Sequence, residues 1–468
     1  MGLVLAVDFG STYTKVAAFD LDNEALVGVA KSATTVGTDI MIGLEKALEA
    51  LRNTIDPEVL KIDQIFSSSS AAGGLRMVVA GFTNELTTKA AREAALGAGA
   101  KVVGTFPNGI NSEDCIKIEQ TAPDLILLTG GTDGGNKQVV LDNAAALAAS
   151  LLDVPFIIAG NKMASGEALT LLNNAGKYAI ATENVLPELA VLNIEPTRSA
   201  IREVFMRRIT LAKGLEKVQA IVSAPIIPTP LAVLKGASLL AVGTGDEEGF
   251  GDLLAVDVGG ATTDVISIAH GRPTISNTVV KGIAEPYEKR TVEGDLGIRY
   301  NAVSILELAG SDMVRTKMRF VSEEVPESAM LEKMAENLSM HVDYVPEKKL
   351  DFLMDAGLAG AAVDLATRRH AGTFEEAYYP SGAVRIQRGK DLTDVKCVIG
   401  TGGVFAYNDQ QRNILRSACF DQSFPESLRP VSPNCFIDKQ YILYALGLLA
   451  QFAPLKALKI IKRYLVSV

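Results

Sequence analysis

Short apolar runs alternate with alanine-rich stretches of helical period along most of the chain, the pattern of an α/β fold. Leu3 to Val7 and Thr14 to Asp20 read as buried strands joined by the turn Asp8-Phe9-Gly10-Ser11, and Leu21 to Glu24 reads as a second turn. The periodicity predicts a helix over 38–51, a strand over 64–66, and a helix over 83–97 with Leu86, Ala90 and Ala94 on one face. The serine run 67–70 with Ala-Ala-Gly-Gly has the composition of a linker, but a strand over 75–82 follows at once, so an ordered loop is expected. Further strands are expected over 125–129, ending in Gly130-Gly131, and over 156–159, with a helix over 141–152 between them. Charge rises between Asp312 and Lys349, as in an exposed subdomain, and the last stretch, 455–468, reads as a basic amphipathic helix packed on the body with its lysines outward.

One strand pattern occurs twice. The string LAVDFGSTYTKV from Leu5 aligns with LAVDVGGATTDV from Leu254, and a strand ending in Thr-Gly-Gly follows in each half, at 129–131 and at 401–403. A tight hairpin of Gly, Ser and Thr exposes backbone N–H groups and hydroxyls able to wrap a phosphate, and glycine lets the backbone come close. Asp8 and Asp257, at the ends of the first strands, are suited to a hydrated Mg²⁺, because a hard cation prefers carboxylate and water oxygens. Two such hairpins would clamp the phosphate tail of a nucleotide between two lobes, with Gly400-Thr401-Gly402-Gly403 near its sugar or α-phosphate.

Length and charge narrow the classes. The 468 residues give room for about three domain-sized units, or two lobes with added subdomains. A chain that is 48% hydrophobic and 21% charged has the balance of a globular protein with a full core. With 45 Lys+Arg against 55 Asp+Glu, the net charge of −10 gives no overall attraction for nucleic acid or anionic lipid, so neither is expected as a partner. The opening MGLVLAVDFG does not read as a signal peptide, and no apolar stretch reaches the roughly 18 residues of a membrane span, so a cytoplasmic location is expected. Four cysteines without a C-x-x-C pair argue against a zinc knuckle or disulfide framework, and three histidines against a histidine-rich metal site.

The two hairpins, the Thr-Gly-Gly segments and the helical stretch 441–449 together resemble the actin/sugar-kinase/heat-shock-chaperone ATPase superfamily. The strings SSSSAAGGLRMVVAGF (67–82), REAALGAGAKVVGTF (92–106), LLTGGTDGGN (127–136), VDVGGATTDV (256–265) and RTVEGDLGIRYNA (290–302) are similar to the glutamate mutase accessory family, the GlmL/MutL proteins. The resemblance implies a two-lobed actin-like (ribonuclease H-like) fold, each lobe a mixed five-stranded sheet flanked by helices, with inserted subdomains. It implies an N-terminal lobe over 1–245 with an insertion around 67–115, and a C-terminal lobe over 246–435 with a subdomain around 312–349. Residues 436–468 would be a helical segment returning to the N-terminal lobe.

The implied activity is weak ATP hydrolysis that releases damaged cobalamin from a coenzyme B12-dependent amino-acid mutase, with ATP and Mg²⁺ as cofactors, and with ATP/ADP and the mutase as partners. A homodimer stays open. The regions 312–349 and 67–115 are the candidate partner-binding faces. Carried over residue by residue, Asp8 and Asp257 organise Mg²⁺, and Gly10, Ser11, Thr12, Lys15, Gly259, Gly260, Thr262 and Thr263 serve the phosphates. Gly400, Gly402 and Gly403 face the adenosine. Asp133 either orients the attacking water or simply forms a turn beside its glycines. The cysteine spacing departs from that of the iron–sulfur activators of acyl-CoA dehydratases. Two alternatives share the fold: a small-molecule kinase, and a non-catalytic nucleotide-binding scaffold.

Overall fold

The computed structural model describes residues 3–10, 13–35, 38–55, 61–70, 75–189, 191–209, 215–379 and 382–468. Internal contacts divide the chain into two units: Met1–Lys235 with Gly282–Pro286 and Tyr444–Phe452, and Gly236–Lys281 with Tyr287–Leu443 and Ala453–Val468.

In the first unit, β1 (Leu3–Phe9), β2 (Tyr13–Asp20) and β3 (Ala25–Ala33) form an antiparallel meander, and β4 (Ile62–Ser69) runs parallel to β1 on its other side. Every residue of β1 is buried, as suits a central strand of continuous apolar sequence covered on both faces. The helix Ile40–Arg52 turns Ile40, Leu44, Ala47 and Leu51 inward at helical spacing, and Asp39 caps it by accepting from Met41 N. The next strands, β5 (Arg76–Ala80), β6 (Lys101–Phe106), β7 (Leu125–Leu128), β8 (Phe156–Ile158) and β9 (Ala179–Ala181), build a separate sheet. All its pairings are parallel, in the order β6-β5-β7-β8-β9, a doubly wound arrangement with helices in the crossovers. The helix expected over 83–97 opens as a π-helical turn, Asn84–Thr88, before continuing as Lys89–Gly97. The chain then returns through β10 (Ile227–Pro228), parallel to β4.

In the second unit, β11 (Leu253–Val258) and β12 (Thr263–Ile268) form the second hairpin. They are followed by β13 (Thr278–Val280), β14 (Glu288–Glu293), β15 (Thr373–Tyr379), β16 (Gly382–Arg388), β17 (Cys397–Thr401), β18 (Asn434–Asp438) and β19 (Leu465–Ser467). The main sheet has the order β14-β12-β11-β17-β18-β19, and β13-β16-β15 form a small sheet of their own. The helix Lys349–His370, buried along most of its length, packs on β12, β11 and β14. Helices Ser311–Arg319 and Ser328–Met340, from the charged region, contribute Val314, Met318, Leu331, Ala335 and Leu338 to the same core. The terminal helix Pro454–Tyr464 buries Ala457, Leu458, Ile460 and Ile461, while Lys462 reaches Glu247 at 2.6 Å. Among the described residues no helix is long and apolar enough to cross a membrane.

The order β3-β2-β1-β4-β10 in the first unit matches β14-β12-β11-β17-β18 in the second, with the same parallel and antiparallel pairings. Each is the mixed five-stranded sheet of the actin-like, ribonuclease H-like fold. The repeat differs from the sequence expectation in one respect. The counterpart of β17 is β4, not the strand ending at Thr129-Gly130-Gly131, because Ser68 stands opposite Asp8 just as Thr401 stands opposite Asp257. Thr129 follows β7, whose neighbours are β5 and β8. The doubly wound sheet runs from 76 to 181, well past the stretch 67–115 where an insertion was expected.

Candidate functional site

The first hairpin is centred on Asp8, which is 1% exposed. Its Oδ2 accepts from Lys15 Nζ at 3.1 Å, and its Oδ1 accepts from Ser68 Oγ at 3.0 Å and from Thr229 Oγ1 at 2.5 Å. Strand register explains the set: Lys15 pairs across β1–β2, Ser68 across β1–β4, and Thr229 opens the helix that follows β10. Three donors from three elements offset the cost of burying this carboxylate. The turn closes through Gly10 N, which donates to Tyr13 O at 3.0 Å, and a Cβ on Gly10 would stand 2.6 Å from that oxygen. Lys15 also lies 5.5 Å from the centre of the Tyr444 ring. Ser11 and Thr12 lie outside the described residues.

The second hairpin repeats the turn, with Gly259 N donating to Thr262 O at 2.9 Å. A segment behind it holds its shape. Arg299 N and Tyr300 N donate to Gly260 O at 2.9 and 3.0 Å, and Asn301 Nδ2 donates to Ala261 O at 2.9 Å. Arg299 is fixed in turn by a two-pronged pair with Asp355 at 2.7 and 2.8 Å, although burial pushes the Asp355 carboxyl above its usual range. Gly260 is exposed and Thr262 half-buried, its hydroxyl donating to Asp264 Oδ2 at 3.1 Å. Thr263, expected at the phosphates, is fully buried, and its hydroxyl donates to Leu296 O at 2.7 Å. The strand's alternation turns this side chain into the core, so its hydroxyl serves the fold.

Asp257, half-buried, stands beside Thr401 in the β11–β17 register, which brings the second hairpin and the segment 400–403 to one edge of one sheet. Gly402 has a φ of 104°, and a Cβ there would lie 2.5 Å from Val258 O and 2.7 Å from Asp257 Oδ1, so both backbone shape and close approach demand glycine. Gly400 faces Phe405, and Gly403 has open space where a side chain would go. Thr401 Oγ1 donates to Asp438 Oδ2 at 3.0 Å, and the Asp438 carboxylate also accepts Ile442 N and Leu443 N at the start of the helix Leu443–Leu449.

Asp133 belongs to another neighbourhood. It lies in the glycine-rich loop after β7, at the carboxyl edge of the doubly wound sheet, where its Oδ1 accepts from Lys162 N at 3.1 Å and Asn184 Nδ2 at 3.0 Å. Asn161 ties the same loop by donating to the carbonyls of Thr132, Asp133 and Gly135. The structure therefore places Asp133 outside the sheet that carries Asp8. Conversely, Ser68, Thr229 and Asp438 emerge as site residues that sequence reading missed. Among the described residues, no cluster of three or more His, Cys, Asp or Glu could hold a metal ion. Both oxygens of Asp8 are taken by protein donors, which fits a carboxylate acting on a metal through its water shell better than a direct ligand.

The family model described as MutL protein matches residues 4–465. Protein MutL of Clostridium tetanomorphum is 43% identical over 468 residues, covering 100% of both chains. Component A of the (R)-2-hydroxyglutaryl-CoA dehydratase of Acidaminococcus fermentans is similar at a TM-score of 0.31 and 14% identity, covering 98% of this chain and 99% of that one. A xylulose kinase from Lactobacillus acidophilus is similar at a TM-score of 0.36 and 12% identity, covering 100% and 93%. At such TM-scores the fold assignment rests on strand order, not on the overlays. The duplicated hairpin sheet and an end-to-end match in sequence agree, and the chain belongs to the MutL family of glutamate mutase accessory proteins.

Proposed function

We propose that the chain is an ATP-dependent reactivating chaperone for a coenzyme B12-dependent amino-acid mutase, freeing the mutase of damaged cobalamin. The observation that carries this reading is the pair of Asp-x-Gly hairpins at equivalent positions of two sheets of one topology. Their turn amides suit phosphate oxygens, and Lys15 can exchange Asp8 Oδ2 for a phosphate as the charge partner of the β/γ oxygens. Mg²⁺, held by Asp8 and Asp257 through water, would neutralise phosphate charge. Thr262 and Gly260 serve the phosphates at the second hairpin, Gly402 and Gly403 face the adenosine, and the open space at Gly403 leaves it room. Such a site works by positioning and charge neutralisation, with no covalent chemistry asked of the protein.

The test is ATP turnover by the purified protein with and without a glutamate mutase inactivated by hydroxocobalamin. Stimulated turnover with cobalamin release is expected, and Asp8→Asn and Asp257→Asn should each lower it at least about a hundredfold, the scale of losing one preorganised electrostatic partner. Turnover that appears only with an added small-molecule acceptor would make the protein a kinase. ATP-dependent polymerisation without stimulation would make it a scaffold.

A further inference from the structure

We propose that Arg429, Arg368 and Lys317 form a binding site in the second unit for a small oxyanion, a carboxylate or inorganic phosphate. This inference is independent of the nucleotide reading. It starts from Arg429, whose side chain is 0% exposed. Its Nη1 donates to Asp364 Oδ1 at 2.7 Å and to Ser417 O at 3.2 Å, but its Nε and Nη2 have no hydrogen-bond partner among the described residues. These two nitrogens share one edge of the planar guanidinium, and their N–H bonds run parallel. That edge matches two oxygens of a carboxylate or phosphate at once. A buried charged donor without an acceptor forfeits hydration and gains nothing in return, so an unmatched edge here is costly.

The fold gathers further positive charge around Arg429. Asp364 joins two guanidiniums, with Arg429 on Oδ1 and Arg368 Nη2 at 2.9 Å from Oδ2. Arg368 stacks over the Phe424 ring at 3.8 Å, which fixes its plane. Gly360 lies one helical turn before Asp364 on the helix Lys349–His370 and admits Lys317 from the helix Ser311–Arg319. A Cβ at Gly360 would stand 3.2 Å from Lys317 Cβ and 3.4 Å from Ser417 Oγ.

Three cations thus meet two carboxylates, because Lys317 feels Asp364 and Asp421 as well as Arg429 and Arg368. One positive charge is left over, and one bound anion balances it. Burial above all holds the Lys317 ammonium below its ordinary range, which an anion beside it would reverse. Lys317 and Arg368 are part-buried whereas Arg429 is sealed, so the route from solvent passes the first two. Water could satisfy the same two N–H groups, but it brings no charge.

The test follows the melting temperature of the full-length protein near neutral pH and at fixed ionic strength, with sodium chloride replaced stepwise by sodium phosphate or sodium acetate. A saturating rise is expected, because only the folded chain holds the anion. Saturation with phosphate alone, acetate alone or both names the class of oxyanion. Exclusion of salt from the surface also stabilises, but that effect climbs without saturating. Lys317→Met and Arg368→Gln should each raise the midpoint at least about tenfold, the scale of one lost charge-assisted hydrogen bond. These two variants carry the test, because replacing Arg429 would also strip Asp364 of its partner. A rise that saturates with neither salt would mean that the edge meets only water, and would overturn the proposal. So would a saturating rise whose midpoint is unchanged in both variants, since that anion binds elsewhere, the hairpins included.

Discussion

Thr401 and Asp438 are joined by a hydrogen bond of 3.0 Å between buried side chains, and the same carboxylate caps the helix Leu443–Leu449. One residue therefore sets both the end of β17 and the start of that helix. Asp438→Ala removes the acceptor for Thr401, Ile442 and Leu443 at once. We expect a loss of about 2 kcal/mol, the scale of a missing cap with stranded donors, read as a lower urea midpoint. ADP affinity should fall with it.

Thr262 and Thr263 are adjacent, yet their hydroxyls do different work. Thr263→Val leaves Leu296 O without its donor in the core and should cost about 1–3 kcal/mol of stability. ADP binding measured by calorimetry should stay within about twofold, a change well under the roughly 1.4 kcal/mol that marks a tenfold effect. Thr262→Val should show the opposite split, with stability kept and nucleotide binding weakened.

Gly402→Ala introduces a Cβ where Val258 O and Asp257 Oδ1 already stand. The Asp257 carboxylate can turn aside, but Val258 O is backbone, so β11 and the end of β17 must move apart. Loss of ADP binding, with a lower melting temperature, is the expected outcome. Gly403→Ala, which meets open space, should keep the wild-type melting temperature and serves as the control for folding alone.

His370 supplies a pH dependence with a definite sign. Its Nδ1 lies 2.9 Å from Thr291 Oγ1 and its Nε2 2.8 Å from Ser267 Oγ, both buried. Burial above all, then the charges of Lys289 and Lys390, hold its pKa well below 6.5. The unfolded chain takes up a proton below about pH 6.5 that the folded chain refuses, so this contribution to stability is lost as pH falls through that value. Melting temperature should drop between about pH 7 and pH 5, and His370→Gln should flatten that slope.

The duplicated hairpin was legible because strand, turn and strand are contiguous in sequence and glycine is required in the turn. Asp8, Gly10, Gly259 and Gly402 could be picked out for that reason. The pairing of β1 with β4 was not legible, since the serines at the end of β4 look like a linker and are buried only because β1 and β10 flank them. The doubly wound sheet was hidden by likeness: β7 runs into Thr129-Gly130-Gly131 much as β17 runs into Thr401-Gly402-Gly403, and only their partners tell the two apart. Thr263 shows the finer limit. A hydroxyl in a glycine-rich motif reads as a phosphate ligand until the strand's alternation decides which way it points.

The first unit includes Tyr444–Phe452, with the Phe452 ring stacked on Phe66 at 4.0 Å and Tyr444 beside Lys15. Its list of parts is not complete until the chain has been made as far as Phe452. On the ribosome, the sheet that begins at Leu3 must wait, lacking those aromatic partners, through the synthesis of almost the whole second unit. A fragment ending near Lys235 would carry the same deficit permanently, so the two halves are separable on paper but not as products of a stop codon.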